Sequence, residues 1–398
     1  MSEANITGLG IVSPIGVGKQ AFLAGLLEGR CGLRRLSVLN AGEFRVGRGG
    51  EVDSVPDMGI DADKARGLAL VLPAALEALE DAGLSLEDLP EQTAVSIGSG
   101  AGEMRAMEAS LGPQEAELDI DLIDPVQPPN SLTSKLAGRL RVHGRQLTFI
   151  NACAAGAQAI AVAADLIRDG RAQIAIAGGV EILNRMVMSG FESLRAVSPT
   201  GPQPFDADRD GIQLAELAAI LVLESTERVR ERGVAPYARI SGSGASADAF
   251  HVVQPDPGGA GAVLALKRAL ADAGLKPGDI DYINAHGTGT VQNDGAELMA
   301  LSKVLGERAK QIPISSTKAM LGHALGASGA AEAVICSLAI REGFLPPTIA
   351  HRKPIEGYDG FDFVSNGARR GVQLRHVLSS AFAFGGNNVV LAISAPGA

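Results

Sequence analysis

The sequence predicts an α/β fold built from two similar halves, and two observations carry this prediction. The first is a pair of related segments, residues 76–89 and 267–280, which read LEALEDAGLSLEDL and KRALADAGLKPGDI. The second is a set of short, apolar strands such as QIAIAGG and AAILVLE. Strands of that kind are typical of sheets that are covered by helices on both faces.

The first pair of segments predicts the same three elements in each half. An apolar-periodic helix precedes the DAGL motif, and a strand follows it, TAVSIGSG in one copy and YINAHGTG in the other. Gly83 and Gly274 stand where the helices should end, so we expect both to adopt positive φ angles as helix C-caps.

A second pair of segments follows in the same order about half a chain apart. Residues 148–170 and 315–343 each predict a strand, a loop of small residues and a helix that ends in an acidic residue and Gly. We therefore divide the chain into an N-terminal half, residues 1–239, and a C-terminal half, residues 240–398. No linker-like stretch separates them, which predicts that they pack together.

Composition excludes several classes of function. The chain has 398 residues and a formal net charge of −10, which argues against nucleic acid as a general partner. It contains no uninterrupted apolar stretch of about 18 residues, so no membrane span is predicted. The first residues lack the features of a signal peptide, and three widely spaced cysteines predict neither disulfides nor a metal site. A cytoplasmic location is the simplest interpretation.

Cys153 is the strongest candidate nucleophile. It stands in FINACAAGAQAI, where a strand runs into a tight turn and a long helix is expected to begin at the Cys. Free N–H groups at a helix start favour a thiolate and can stabilise an oxyanion, so a lowered pKa is expected. The competing interpretation is a small buried hydrophobe, which is how we interpret Cys31 and Cys336.

Two histidines stand at positions equivalent to the Cys loop. His286 lies in YINAHGTGT and His323 in STKAMLGHALGASGA, each between a predicted strand and a helix, and Lys318 is on the second loop. A lone His among apolar residues is usually a core residue. Two of them at matching positions of a duplicated fold instead favour a shared site with Cys153.

Taken together, these motifs resemble those of the elongating β-ketoacyl-acyl-carrier-protein synthases. The resemblance runs over nearly the whole chain, through ITGLGIVSPIG, NACAAG, PFDADRDG, NAHGTGT, KAMLGH and FGGNN. It implies a thiolase fold, in which the duplicated halves form five layers in the order α-β-α-β-α. It also implies a dimer, either of two identical chains or with a related ketosynthase-like subunit.

The resemblance further implies roles for individual residues. Cys153 takes an acyl group as a thioester, and His286 and His323 bind the malonyl thioester carbonyl and promote its decarboxylation. The other implied site residues are Lys318 with Glu332 for electrostatics, Phe384, Gly385 and Gly386 for the oxyanion hole and gate, and Thr288 and Thr290 for the pantetheine arm.

The resemblance implies acyl carrier protein as the partner, and neither a cofactor nor a metal, because substrates arrive on the carrier's phosphopantetheine arm. Carrier proteins are acidic, so an acidic chain needs a local basic patch to attract one. Lys64 and Arg66, just before a helix, are the candidates, although solvated surface charge is an equally good interpretation.

Departures from the family pattern leave the substrate open. Asn151, Ala155 and Asn387 replace residues that are common in the family, and the segment SPTGPQPFDADRDGI resembles ketosynthases of aryl-polyene and related polyketide pathways. The product could therefore belong to fatty-acid, polyketide or polyene synthesis. A non-catalytic subunit that sets chain length is a further alternative, which the presence of Cys153 disfavours.

Overall fold

The computed structural model describes residues 2–62, 64–110 and 130–398. The helices are α1 (Lys19–Glu28), α2 (Arg66–Asp81), α3 (Met104–Ser110), α4 (Asn130–Leu140), α5 (Ala155–Arg168), α6 (Arg185–Ser193), α7 (Thr226–Arg232), α8 (Ala260–Asp272), α9 (Val291–Leu305), α10 (Lys318–Leu321) and α11 (Leu325–Glu342). The strands are β1 (Ala4–Ser13), β2 (Gly16–Val17), β3 (Leu33–Arg35), β4 (Arg48–Gly50), β5 (Ala94–Gly98), β6 (Gln146–Phe149), β7 (Ile174–Glu181), β8 (Leu217–Ser225), β9 (Ala238–Ala247), β10 (Tyr282–Asn284), β11 (Ile314–Ser315), β12 (Phe344–Leu345), β13 (Arg369–Arg370), β14 (His376–Phe382) and β15 (Asn387–Ser394).

The main strands form two sets that have the same order and the same directions. The first set runs β6-β5-β7-β8-β1 and the second runs β11-β10-β14-β15-β9. In the first set β5 pairs in parallel with both of its neighbours, and in the second set β10 does the same. The remaining pairs in each set are antiparallel. Antiparallel pairing of β1 with β9 joins the two sets. The duplication predicted from the sequence is therefore confirmed.

Helices form three layers around the two sets of strands. The pair α5 and α11 lies between the sets, α2 and α4 cover the outer face of the first set, and α8 and α9 cover the outer face of the second. Along β7, Ile174 and Ile176 point to the outer core, whereas Ala175 and Ala177 point to the central one. The five-layered α-β-α-β-α order that the family resemblance implied is confirmed.

Small residues let the two central helices approach closely. A Cβ added at Gly329 of α11 would lie 2.8 Å from the Cβ of Ala157 on α5, which is shorter than a normal contact. A Cβ added at Gly156 of α5 would lie 2.8 Å from the carbonyl oxygen of Gly326. This close packing brings together the N-terminal ends of α5 and α11, and with them the loops that carry Cys153 and His323.

Several local expectations can be compared with the structure. Gly83 and Gly274 both have a φ of 66° just beyond α2 and α8, as the capping motif predicted. Among the described helices, none is long and apolar enough to cross a membrane. The strand β9 begins at Ala238, close to the predicted boundary after residue 239, and the boundary itself stays a prediction.

Candidate active site

A cleft of about 450 Å³ leads to Cys153, His286 and His323. One ligand atom from each of these residues, the Cys sulfur and an imidazole nitrogen of each His, lies within 4.8 Å of the other two. The imidazole rings meet edge to face, with their centroids 5.4 Å apart. Three loops that are far apart in the sequence therefore converge on one buried point.

Cys153 lies in a sharp turn between β6 and α5. The residue belongs to the single 3₁₀ turn Ala152–Ala154, and the α-helix begins only at Ala155, after the Cys and not at it as the sequence predicted. Ala152 has a φ of 51°, which residues other than Gly rarely adopt. The turn leaves Cys153 lining the cleft, although the residue is only 4% exposed.

The acidity of Cys153 differs from the sequence expectation. Burial raises the pKa of Cys153 to about 12, and the opposing effects of the Lys318 charge and the backbone N–H groups of Phe384 and Cys153 are smaller. The expected lowering of the pKa is therefore wrong for the unliganded protein, because the loss of water around a thiolate outweighs the donors at the helix start. Cys153 rests as a thiol.

His323 is held in one tautomer by its surroundings. Its Nδ1 accepts a hydrogen bond from the Leu325 backbone N–H at 3.3 Å and lies 2.9 Å from the Ser328 hydroxyl. An Nδ1 that accepts from an N–H carries no proton, so the proton of the neutral ring is on Nε2. Burial, and then the Lys318 charge, hold the pKa of His323 well below its usual value.

His286 is positioned through its backbone. Its N–H and that of Gly287 donate to the Glu297 carboxylate, each at 2.8 Å. Burial lowers the pKa of His286 well below its usual value, with smaller contributions from Lys318 and His323. Burial is therefore the main reason that the His286 imidazole is neutral, and repulsion by the Lys318 charge adds to it.

Lys318 lies beside both histidine loops. Its ammonium group donates to the backbone carbonyl of His286 and forms a buried ion pair with Glu332. Burial raises the pKa of Glu332 to about 7, against the effect of the Lys318 charge. Because Glu332 belongs to α11, the ion pair connects the His286 loop to that helix. The helix begins two residues after His323.

The loop between β14 and β15 closes one side of the cleft. Phe384 lines the cleft and stacks on Phe191 of α6, with ring centroids 5.4 Å apart. Gly385 and Gly386 have φ angles of 79° and 72°, so the turn needs residues without a Cβ. The loop therefore brings the Phe384 N–H to the Cys153 sulfur and places an aromatic ring over the cleft.

Thr288 and Thr290 form a polar patch on the cleft wall. Their hydroxyl oxygens lie 2.9 Å apart, and both residues line the cleft. The buried carboxylate of Asp294 accepts the backbone N–H of Thr288 at 3.0 Å, and that of Gly289. Thr290 also caps α9 by accepting the Asn293 N–H. The Thr288 hydroxyl also accepts the Thr290 N–H at 3.3 Å, so both hydroxyls are held in place on the cleft wall.

Sequence reasoning missed the buried carboxylates that shape these loops. Glu181, at the end of β7, accepts the backbone N–H groups of Gly100, Ala101 and Gly326, and burial raises its pKa to about 7. Glu297, which accepts the backbone N–H groups of His286 and Gly287, is a second such carboxylate, and burial raises its pKa to about 8. Nothing in the sequence around Glu181 distinguishes it from a surface residue.

The docking role predicted for Arg66 is wrong. Arg66 is the first residue of α2, is 7% exposed, and forms an ion pair with the buried Glu216 while donating to the Val52 carbonyl. A guanidinium that is already paired inside the protein cannot attract a partner from solution. Lys64 is exposed beside Asp61, so its docking role stays a prediction.

In the described part of the chain, the ligand atoms of Cys153, His286 and His323 lie close enough together to hold a metal ion. The sequence predicted no metal site. The Lys318 charge, which lowers the pKa of both imidazoles, also opposes a cation at this position. The arrangement therefore suits a neutral carbonyl group better than a metal.

The sequence matches a known family in two parts. Residues 1–228 match the family described as the N-terminal domain of beta-ketoacyl synthase, and residues 237–352 match its C-terminal domain. A curated relative, 3-oxoacyl-[acyl-carrier-protein] synthase 2 of Coxiella burnetii, is 36% identical over 412 aligned residues, covering 98% of this chain and 97% of the relative.

Solved structures share the fold over the full length. The ishigamide ketosynthase/chain length factor is 35% identical with a TM-score of 0.93, and the alignment covers 100% of both chains. A ketosynthase in complex with a type II PKS acyl-carrier protein is 30% identical with a TM-score of 0.92, covering 99% of both chains.

Proposed function

The chain belongs to the β-ketoacyl synthase family, and from that membership we propose that it catalyses a decarboxylative Claisen condensation. An acyl group held on Cys153 joins the unit left when malonyl-acyl-carrier protein loses CO2. The product is a β-ketoacyl-acyl-carrier protein that is two carbons longer. The observation that carries the proposal is the meeting of Cys153, His286 and His323 within 4.8 Å at one cleft.

In the first half-reaction, the Cys153 sulfur attacks the carbonyl carbon of the acyl-carrier thioester. The S–H bond breaks as the new S–C bond forms, and the proton passes to the sulfur of the departing carrier, so no net proton is consumed. A neutral imidazole beside the sulfur relays this proton. The N–H groups of Cys153 and Phe384 donate to the carbonyl oxygen, a role supported by their effect on the Cys153 thiol.

In the second half-reaction, malonyl-carrier protein loses CO2 and negative charge builds on its thioester oxygen. The Nε2–H of His323 and a ring N–H of His286 donate to that oxygen. The carbanion then attacks the acyl carbon, the bond to Cys153 breaks, and the released thiolate takes up one proton from solvent. The lowered pKa values of both imidazoles support this role, because each neutral ring keeps one donor N–H.

The remaining residues serve binding and access. Lys318 and Glu332 fix the His286 loop, Thr288 and Thr290 contact the pantetheine arm, and the Phe384–Gly386 loop gates the cleft. The reaction needs no cofactor or metal, because its substrates arrive as thioesters and the loss of CO2 drives bond formation.

The pathway is fatty-acid, polyketide or polyene synthesis. The curated relative acts, by its name, as a 3-oxoacyl-acyl-carrier-protein synthase, whereas the solved relatives include type II polyketide proteins. The latter observation favours the second candidate, a ketosynthase subunit of an aryl-polyene or other polyketide pathway. A non-catalytic chain-length subunit is disfavoured by a complete set of Cys153, His286 and His323.

Acyl carrier protein is the partner that delivers both substrates. The chain acts as a dimer, either with itself or with a chain-length-factor subunit like that of the ishigamide ketosynthase/chain length factor. We place the reaction in the cytoplasm, since the three cysteines are all free thiols.

The test is intact-mass spectrometry after exposure to a panel of saturated and unsaturated acyl-carrier proteins. One acyl group should add to the wild-type chain and none to Cys153→Ala, while Cys31→Ala keeps the addition. The acyl group that is transferred fastest, recognised by its added mass, identifies the substrate class. Acyl transfer that persists in Cys153→Ala would show that the assignment is wrong.

A further inference from the structure

Exposed apolar side chains surround the mouth of the cleft that leads to Cys153. Seven large apolar side chains are exposed in the described ranges, and four of them belong here: Leu194 at 52%, Phe250 at 55%, Val252 at 78% and Val291 at 58%. Leu194 and Val291 line the cleft, and Phe250 and Val252 flank His251, which lines it as well. We name these four side chains the mouth collar.

The loop that carries Val252 is fixed by its backbone. The Val252 carbonyl accepts the Gly385 N–H at 2.8 Å, and the Asp248 N–H donates to the Gly386 carbonyl at 2.8 Å. The Asp248 carboxylate in turn accepts the Asn388 amide at 2.7 Å. The Val252 side chain therefore projects into solvent from an anchored loop that also contacts the gating turn.

An anchored group of exposed apolar side chains at the rim of a site marks a surface that a partner covers. The proposed substrates are attached to a carrier protein, so the carrier must stand over this mouth while its arm reaches Cys153. The net charge of the chain supplies no long-range attraction, because that charge is −10 and carriers are acidic as well, so contacts at the mouth itself must hold the carrier. Arg66, one of the two cations predicted to dock the carrier, is buried in an ion pair.

We propose that the mouth collar is the docking surface for acyl carrier protein, and that apolar contact holds the carrier there. This inference rests on the proposed function. A solved relative was captured with an acyl-carrier protein on its ketosynthase, which supports a carrier as the occupant. The carrier surface that fits is an apolar ridge beside the arm, since only apolar contact gains free energy against the collar.

The test compares one acyl group delivered in two ways, on acyl carrier protein and as its N-acetylcysteamine thioester, which has no carrier. Val252→Asp and Phe250→Asp place a charge in the collar, and Leu264→Asp does so at an exposed apolar residue of α8 that does not line the cleft. In the two collar variants the ratio of kcat/KM for the carrier substrate to that for the small thioester should fall about tenfold. The control should keep the wild-type ratio.

Salt provides a second measurement. Raising the ionic strength should leave the KM for the carrier unchanged or lower it, because screening weakens repulsion between two acidic proteins. An unchanged ratio in both collar variants would overturn the docking proposal, as would a collar variant that changes the oligomeric state and not the ratio. Failure of the wild-type Cys153 to react with either thioester would instead overturn the proposed function.

Discussion

His286 and His323 face the same small volume beside Cys153, and their neutral rings each offer one donor. Replacing either with Ala should cut the decarboxylation of malonyl-carrier protein by roughly 10²–10³, since one oxyanion donor is typically worth about 3–4 kcal/mol. Acylation of Cys153 should fall less. The measurement is each half-reaction in separate assays, with the exposed His143→Ala as the control. Normal decarboxylation with lost acylation would reverse the two roles.

The same two side chains should make the protein sensitive to acid. Their pKa values are well below 6.5 in the folded protein, while the unfolded chain has ordinary histidines. Below pH 6.5 the unfolded state therefore binds protons that the folded state does not, and stability falls as the pH falls. Each buried His contributes up to about 1.4 kcal/mol per pH unit in that range.

The measurement is urea unfolding at pH 7.5 and at lower pH for wild type and His323→Gln. The wild type should lose more stability between the two conditions than the variant. Equal losses would mean that His323 is not held neutral by burial.

At the scale of elements, the proposed gate is the turn between β14 and β15. Phe384→Ala should slow condensation more than it lowers Tm, because the ring stacks on Phe191 at the cleft wall and is only partly buried. Single-turnover condensation and thermal unfolding measure the two effects. A large drop in Tm with normal turnover of the folded enzyme would instead make Phe384 a packing residue.

At the contact between α5 and α11, which we call the seam, a larger side chain in place of a glycine should destabilise the protein. Gly329→Ala would put a Cβ 2.8 Å from that of Ala157, and overpacking of this kind costs about 1–3 kcal/mol. Gly138→Ala on α4 meets nothing within 4 Å and should be neutral or stabilising by up to about 1 kcal/mol through helix propensity. Thermal unfolding of the two variants checks the difference. Because the seam positions Cys153 against His323, Gly329→Ala should also lower acylation.

At the scale of the whole molecule, the two halves share one core. The central cluster takes side chains from α5 and α11 and from both sets of strands, and β1 pairs with β9. Expressed separately, residues 1–239 and 240–398 should therefore each lack a cooperative unfolding transition, because each alone exposes a face meant for the other. Circular dichroism with a thermal scan tests each fragment. A cooperative transition in either one would show that this half folds on its own.

The sequence by itself predicted the duplicated α/β architecture, which the structure confirms, and it selected Cys153, His286 and His323, which the structure brings together at one cleft. Both follow from local patterns, because strand and helix periodicity, positive-φ glycines and small-residue loops are all written within short segments. His323 could be selected because its loop follows β11, the counterpart of the strand β6 that precedes Cys153. The expectation that His286 stands at an equivalent place is wrong, because His286 follows β10, whose counterpart is β5.

Tertiary structure alone decided the electrostatics of that site. The pKa of Cys153 depends on how much water the packed halves exclude, and a helix start in the sequence says nothing about that. Arg66, a docking candidate in the sequence, is buried in the structure and forms an internal ion pair with Glu216, a residue 150 positions away in the chain. Glu181 gained its role from three N–H groups, two contributed by the loop after β5 and one by the start of α11. Such properties depend on distances between segments that only the fold brings together, so no local pattern encodes them.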